Sequence, residues 1–342
     1  MARMGRMQNP SLPDIQRFIL RVPRTSSAWL EHEVAMLRYV RANSTIPVPQ
    51  TFFYDTTGNN ALLEQYTILN RVEGEQLVLI WAEVTHPQRI SLAWQLGHVV
   101  REVLSKPVTA ADFLDPRSPE KWEDGIKILD FPVPALYDQQ GLPLVAPTTE
   151  SKPQSTLNML YSLIRRWKAI RELDAKYWDA FADMAHELDT KGFFTDNQFY
   201  ICHGDFKARN VLVKRYAGGD IEITTVLDWD LSVFGPRYMA SKPPLWLWLH
   251  NEDGGDSFDD GPEAGDKPTC LQSQEVKAVF EDVVGTEYLD YAYRTEYCLA
   301  RKLTDFCIYG LGSQYRETVA DEMLWQWKKI KESDNAYEMD ET

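Results

Sequence analysis

The sequence predicts an α+β fold of two unequal lobes, a small β-rich N-lobe over residues 17–74 and a larger, mainly α C-lobe over residues 75–342. Three observations predict it. Short runs with period-two alternation surround a single amphipathic helix before Gly74. Beyond it, long stretches carry apolar residues three and four apart. Between helical blocks, the polar motif His203-Gly-Asp-Phe-Lys-Ala-Arg-Asn210 is joined by a β-hairpin to Val226-Leu-Asp-Trp-Asp230. A chain of 342 residues is long enough to bury the core of two lobes.

In chain order, residues 1–16 form an N-terminal extension or remnant with one glycine, Gly5, and no strand–turn–strand pattern. Arg17 to Val22 reads as a strand that ends at Pro23. Ser26 or Ser27 then serves as N-cap for a helix running to Ala42, with Leu30, Val34, Leu37 and Val40 as its apolar stripe. Glu33 falls between Leu37 and Val40 on the helical wheel, so its carboxylate points inward and needs either a cation or local backbone donors. Two strands follow, Thr51 to Tyr54 and Leu62 to Leu69, with Thr57-Gly-Asn-Asn60 as the turn between them.

Beyond Gly74, helical periodicity begins at Ile90 and runs to Leu104. Residues 107–154 are rich in Pro, Asp and Gly and read as a long irregular insertion. Residues 156–191 form one long amphipathic helical stretch that stops at Gly192. Further helical blocks are predicted at 274–284, 286–310 and 315–332. The apolar run Leu245-Trp-Leu-Trp-Leu249 is short enough to be a buried helix or strand segment. A second insertion, residues 251–266, holds seven acids and no Lys or Arg, without the ligand spacing of a calcium loop.

Composition excludes several classes. With 36 basic and 51 acidic residues the net charge is −15, which opposes attraction to nucleic-acid phosphates. No apolar run approaches the 18 residues of a membrane span, and no signal-peptide core is present. Four cysteines without a CxxC pair are the pattern of reduced thiols, which points to the cytoplasm. Arg3, Arg6, Arg17, Arg21 and Arg24 against a single Asp14 also resemble a mitochondrial presequence, the alternative location.

The chemistry is carried by the two motif halves. With the hairpin turn centred on Gly218-Gly219, antiparallel pairing sets Asn210 opposite Leu227 or Asp228, and such pairs sit about 4.5–5.5 Å apart. An amide oxygen and a carboxylate there converge on one hard cation such as Mg²⁺. Asp205 lies five residues before Asn210, with Lys207 two residues after it. A carboxylate to receive a proton, an ammonium to meet a phosphate and a ligand pair for magnesium are the parts of phosphoryl transfer.

On these residues the chain resembles the aminoglycoside phosphotransferase and choline kinase superfamily, a branch of the protein-kinase-like fold, and most of all its fungal members. The resemblance implies Asp205 as catalytic base, Lys207 at the γ-phosphate, and Asn210 and Asp228 as magnesium ligands, with Asp230 as a further or outer-sphere contact. It implies His203 as a structural member of the catalytic loop, and Arg21 paired to Glu33 on the non-transferred phosphates of ATP. It makes residues 69–74 a hinge at which the backbone of Asn70, Arg71 and Val72 meets the adenine edge. Arg209 either pairs with a nearby carboxylate or simply sits exposed, and exposure is the expectation. The departure lies upstream: the family has two strands and a loop over the phosphates, where 16 residues precede Arg17, so a truncated N-lobe is expected.

Two functions follow as expectations. One is an ATP- and Mg²⁺-dependent kinase of a small-molecule hydroxyl. The other is a non-catalytic, kinase-like binding or regulatory protein with a degenerate N-lobe. A metal-dependent phosphohydrolase is a distant third, because no pair of histidines has i,i+4 spacing.

Overall fold

The structure is a computed structural model that describes residues 17–22, 27–131, 149–170, 174–249 and 262–340. The expectations for residues 1–16 and for most of the acidic insertion, residues 250–261, fall outside it. The N-lobe contains β1 (Phe18–Arg21), α1 (Ser27–Asn43), β2 (Thr51–Asp55) and β3 (Tyr66–Asn70). Its antiparallel sheet has the order β1-β3-β2, with Phe18 opposite Asn70 and Arg21 opposite Thr67. The predicted stripe of α1 is buried, Leu30, Val34, Leu37 and Val40 together with Met36 and Tyr39. β3 begins four residues later than the alternation predicts. Asn60 holds the preceding residues in a turn by accepting from the Leu62 N–H at 2.9 Å and donating to the Glu64 carbonyl at 2.8 Å.

Gly74 lets the chain pass from this sheet to the next. Its φ is +144°, and a Cβ there would lie 2.7 Å from Thr224 Oγ1. Then come β4 (Glu75–Gln76), α2 (Leu77–Ile80) and α3 (His86–Val103). α3 starts earlier than its apolar period shows, because Pro87 fills the first turn and Gln88 accepts from the Thr85 N–H at 3.0 Å. The first insertion is not wholly irregular. It contains β5 (Phe113–Leu114) and β6 (Ile128–Leu129), a two-stranded ladder too short for any periodicity to reveal.

The single long helix expected over 156–191 is two helices, α4 (Thr156–Ile170) and α5 (Ala175–Thr190). They fold onto each other, with Trp167 and Trp178 stacked at 5.5 Å. After β7 (Phe199–Cys202), the hairpin β8 (Val211–Arg215) and β9 (Ile221–Val226) forms as predicted and joins β4 in the order β4-β8-β9. β10 (Val233–Pro236) pairs antiparallel with β7 and runs into α6 (Arg237–Ala240). Leu245–Leu247 is one tight helical turn, with Leu247 and Trp248 buried. The remaining helices are α7 (Leu271–Val284), α8 (Thr286–Tyr293), α9 (Thr295–Tyr309) and α10 (Gln314–Asp340). α8 and α9, predicted as one block, break at Arg294, whose φ of −60° and ψ of +131° are extended. Among the described residues no helix is long and apolar enough to cross a membrane. A thin sheet with one helix set against a helical body gives the two-lobed α+β architecture, and the polar motifs lie where the two meet, with Arg21 of β1 reaching Asp228.

Candidate active site

Four buried residues of β7 deliver the loop that starts at His203. Gly204 has a φ of +81°, and a Cβ on it would stand 2.5 Å from the Leu231 carbonyl oxygen, so the loop can lie this close to the Asp-Trp-Asp segment only with glycine there. His203 is buried, and burial lowers its pKa. The neutral ring suits its two partners: Nδ1 accepts from the Asp205 N–H at 3.3 Å, which leaves Nε2–H to donate to the Leu227 carbonyl at 2.9 Å. One imidazole thereby ties the loop to the residue before Asp228.

The Asp205 carboxylate is held from two sides. Asn210 Nδ2 donates to its Oδ2 at 2.7 Å and to its main-chain oxygen at 2.8 Å, and Arg209 Nη2 lies 2.9 Å from both Oδ atoms. Arg209 is thus half-exposed and paired, the alternative that the sequence reading ranked below simple exposure. Its spacing of four residues from Asp205 was a legible signal for that pairing. Lys207 caps the tight turn over Ala208–Asn210, where the Asn210 N–H reaches its carbonyl at 2.9 Å, and its side chain lines a cavity beside Asp205.

The predicted register is met: the Leu227 N–H donates to the Asn210 carbonyl at 2.7 Å, so Asp228 follows directly on the residue paired with Asn210. Trp229 is 1% exposed and donates from Nε1 to the Val226 carbonyl at 3.1 Å, while Ser232 Oγ donates to the Trp229 carbonyl. Anchored this way, the indole leaves Asp228 and Asp230 beside the cleft. Asp228 takes a left-handed φ of +67°, a conformation that costs energy for a non-glycine residue and that aspartate tolerates better than most.

Arg21 sits where three carboxylates meet. Nη1 donates to Glu33 Oε1, Nη2 donates to Asp228 Oδ1 at 3.0 Å, and Asp230 Oδ2 lies 3.6 Å from the same nitrogen. Burial pushes the Glu33 carboxyl up to about 7, against the pull of Arg21. Burial and the neighbouring Asp228 charge likewise raise Asp230. Burial by itself would lower the Arg21 guanidinium, but the three acids outweigh it and hold the pKa up, so Arg21 stays charged. Sequence reading anticipated the Arg21–Glu33 pair and missed the two further acids, which lie more than 200 residues away along the chain. It also missed His32, buried beside Glu33, whose Nε2 lies 2.5 Å from the Ser232 carbonyl and ties α1 to the segment after Asp230.

Among the described residues no group of three or more His, Cys, Asp or Glu side chains is arranged to hold a metal. The donors at hand are oxygens only, the Asn210 amide oxygen left over once Nδ2 turns to Asp205, and the Asp228 and Asp230 carboxylates. Such a set fits a hard cation that keeps waters and completes its shell with phosphate oxygens, and does not amount to an all-protein cage. At the expected hinge, the Asn70 N–H donates to the Gln50 carbonyl at 3.0 Å and the Arg71 N–H to the Arg17 carbonyl at 2.7 Å. Both donors are committed to the sheet, so a base edge there would have to meet Val72 or the carbonyls.

A profile of the phosphotransferase enzyme family matches residues 11–239, about two thirds of the chain. Two curated relatives, subtelomeric hrmA-associated cluster proteins from two strains of Aspergillus fumigatus, are each 22% identical over 305 residues, which cover 72% of this chain and 59% of theirs. The chain therefore spans about three fifths of the length of the curated relatives it matches. Among solved structures, a GDP complex of a wild-type aminoglycoside 2′-phosphotransferase is 15% identical with a TM-score of 0.48, covering 92% of this chain and 87% of that one. A GDP and kanamycin complex of an aminoglycoside phosphotransferase is 15% identical with a TM-score of 0.47, covering 96% and 93%.

Proposed function

The chain belongs to the phosphotransferase enzyme family, and from that premise we propose that it moves the γ-phosphate of ATP to a hydroxyl group of a small molecule. One observation carries the reading. A continuous chain of polar contacts runs from Glu33 through Arg21 to Asp228 and, by way of the adjoining Leu227, through Asn210 to Asp205. It joins both lobes across one cleft, and every member has a role in phosphoryl transfer.

In this mechanism Asp205 orients the acceptor hydroxyl and takes its proton as the new O–P bond forms and the bond to the β-phosphate oxygen breaks, releasing ADP. Asn210 and Arg209 hold the carboxylate in place, so its main contribution is positioning. Lys207 offsets charge on the transferred group. Arg21, braced by Glu33, meets the α- and β-phosphates with a planar fork suited to phosphate oxygens. The base lies against residues 70–72. Asn210, Asp228 and Asp230 would hold Mg²⁺, which supplies charge neutralisation at the phosphate oxygens.

A second reading, a non-catalytic kinase-like binding protein, has one observation in its favour. Arg21 already pairs with Asp228 and lies 3.6 Å from Asp230, the acids assigned to the metal. Melting temperature with and without Mg·ATP, in the wild type and in Asp205→Asn, separates the two. The kinase reading expects a rise in both proteins and acceptor-dependent ADP release only in the wild type. No rise at millimolar Mg·ATP favours the binding protein, and full ADP release by Asp205→Asn ends the mechanism.

A further inference from the structure

We propose that a second cavity, outside the Asp205 site, binds an aliphatic amine; the inference does not rest on the phosphotransferase reading. The cavity has a volume of about 340 Å³, within the range of about 300–1,000 Å³ common to small-molecule sites. Three elements wall it: the segment Thr45, Ile46, Pro47 that follows α1, one side of α3, and Ile223 of β9. Hydrogen bonds pin all three together. Glu102 of α3 accepts from Thr45 Oγ1 at 3.0 Å, and Gln95 donates to the Ile221 carbonyl at 2.9 Å while accepting from the Ile223 N–H at 2.8 Å. The Val226 N–H donates to the Pro47 carbonyl at 2.8 Å. The walls are therefore set before anything enters, which spares a ligand the cost of ordering them. Of the described lining residues only Val99 also faces the cavity beside Asp205.

The lining has the chemistry of a cation site. Among its described residues there is one carboxylate, Glu102, and no Lys or Arg. Glu102 is half-exposed, and among the described residues its partners are the hydroxyl and the N–H of Thr45, which leave its charge unneutralised. Trp94, His98 and Glu102 follow one another at four-residue spacing, a stripe about 12 Å long on one side of α3. The Trp94 indole is 54% exposed and braced by the His98 ring at 4.2 Å. An alkylammonium suits this stripe. Its charge meets the Glu102 carboxylate, its chain covers Ile46, Pro47, Val99 and Ile223, and the exposed indole adds a π surface that favours a cation. A carboxylate ligand would meet Glu102 with like charge.

The test uses the full chain at pH 8 in physiological salt, with 1-aminohexane, 1-hexanol and hexanoate as probes of one chain length. Binding is read by calorimetry, and its place by the indole N–H signal in heteronuclear NMR spectra that Trp94→Ala removes. The amine should move that signal and bind about fivefold tighter than the alcohol, and the acid should not bind. Glu102→Gln, which keeps an acceptor for Thr45 and loses the charge, should bring the amine down to the alcohol's level. Trp94→Ala, at an exposed helical position where alanine is well tolerated, should weaken the amine about threefold. Both variants should melt near wild type. Should Glu102→Gln melt early, the probe order and Trp94→Ala decide alone. Alcohol or acid binding as tightly as the amine, no binding by the amine, an unmoved Trp94 signal, or amine binding that neither variant weakens overturns the proposal. A capped lysine peptide that bound tighter than 1-aminohexane would also overturn it, by assigning the cavity to a protein partner.

Discussion

Two three-stranded antiparallel sheets flank the cleft, and they are built differently. The sheet β4-β8-β9 brings Asn210 and Asp228 together on a hairpin whose inward residues Val211, Val213, Ile221, Ile223 and Val226 are all buried. The sheet β1-β3-β2 carries Arg21 on a strand where Phe18, Ile19 and Leu20 are 50%, 46% and 51% exposed. Burial and backbone hydrogen bonds hold the acids' wall. β1 of the other wall meets it through the Arg21 charge, and behind β1 the lobes are joined by His32 Nε2 against the Ser232 carbonyl at 2.5 Å and by the Val226 N–H donating to the Pro47 carbonyl at 2.8 Å. Packing gives a fixed geometry, and a charge contact across a cleft gives one that can open and that salt weakens. That division suits the proposed site, in which the acids would be set before a phosphate arrives and the cation would move to admit it.

The sharpest way to break the comparison is at the fixed wall. Asp205→Asn removes the proposed proton acceptor while keeping the shape, so phosphoryl transfer should fall about 10²- to 10⁴-fold with little change in melting temperature. Trp229→Ala removes the anchor between the two acids. It should cost about 3–5 kcal/mol of stability, measured by chemical denaturation, and abolish transfer as well. If that variant melted like the wild type, the indole would not be what fixes Asp228 and Asp230.

At the other wall, Arg21→Gln should weaken Mg·ATP binding while leaving the hairpin folded, as read by amide protection in β8 and β9. Its stability should also depend on pH. Glu33 has a folded pKa raised by burial to about 7, above the ordinary glutamate value. A carboxyl shifted that way favours folding when protonated and loses the contribution as pH rises through the folded value. Without Arg21 the buried carboxylate stands beside Asp228 and Asp230 uncompensated, so the variant should lose stability between about pH 5 and pH 8 relative to wild type. A variant with the wild-type pH profile would mean that the three acids are not coupled through Arg21.

The difference between the walls also explains what could be read from the chain. The hairpin and its register were legible because Ile221, Ile223 and Thr225 alternate and two glycines mark the turn. α1 was legible through its stripe, and the inward Glu33 through its place on the wheel. The break between α4 and α5 was not, because the helices present apolar faces to the same core and the residues between them, Arg171 to Asp174, include neither glycine nor proline. The break at Arg294 was hidden in the same way. Of the candidate site, the loop residues were readable as a local string. The convergence of Asp228 and Asp230 on Arg21 was not, since it depends on how distant segments pack.

The smallest effect sharpens the comparison from outside both sheets, beside β10. Asp112 is buried, exchanges backbone hydrogen bonds with Phe234 of β10 at 2.8 Å in each direction, and accepts from the Phe131 N–H at 3.2 Å. Burial raises its carboxyl to about 7 from the ordinary 3.8. The folded state therefore prefers the protonated form: the stabilisation is fully present below about pH 4 and is lost as pH climbs to about 7. Asp112→Asn keeps an acceptor for Phe131 and cannot ionise, so it should melt a few degrees above wild type at pH 8. The difference should vanish near pH 4. The phosphoryl-transfer rate should hardly change, because Asp112 reaches the site only through β10. A loss of activity at unchanged stability would place Asp112 among the groups that set the cleft, and the buried wall would then be less self-contained than its packing implies.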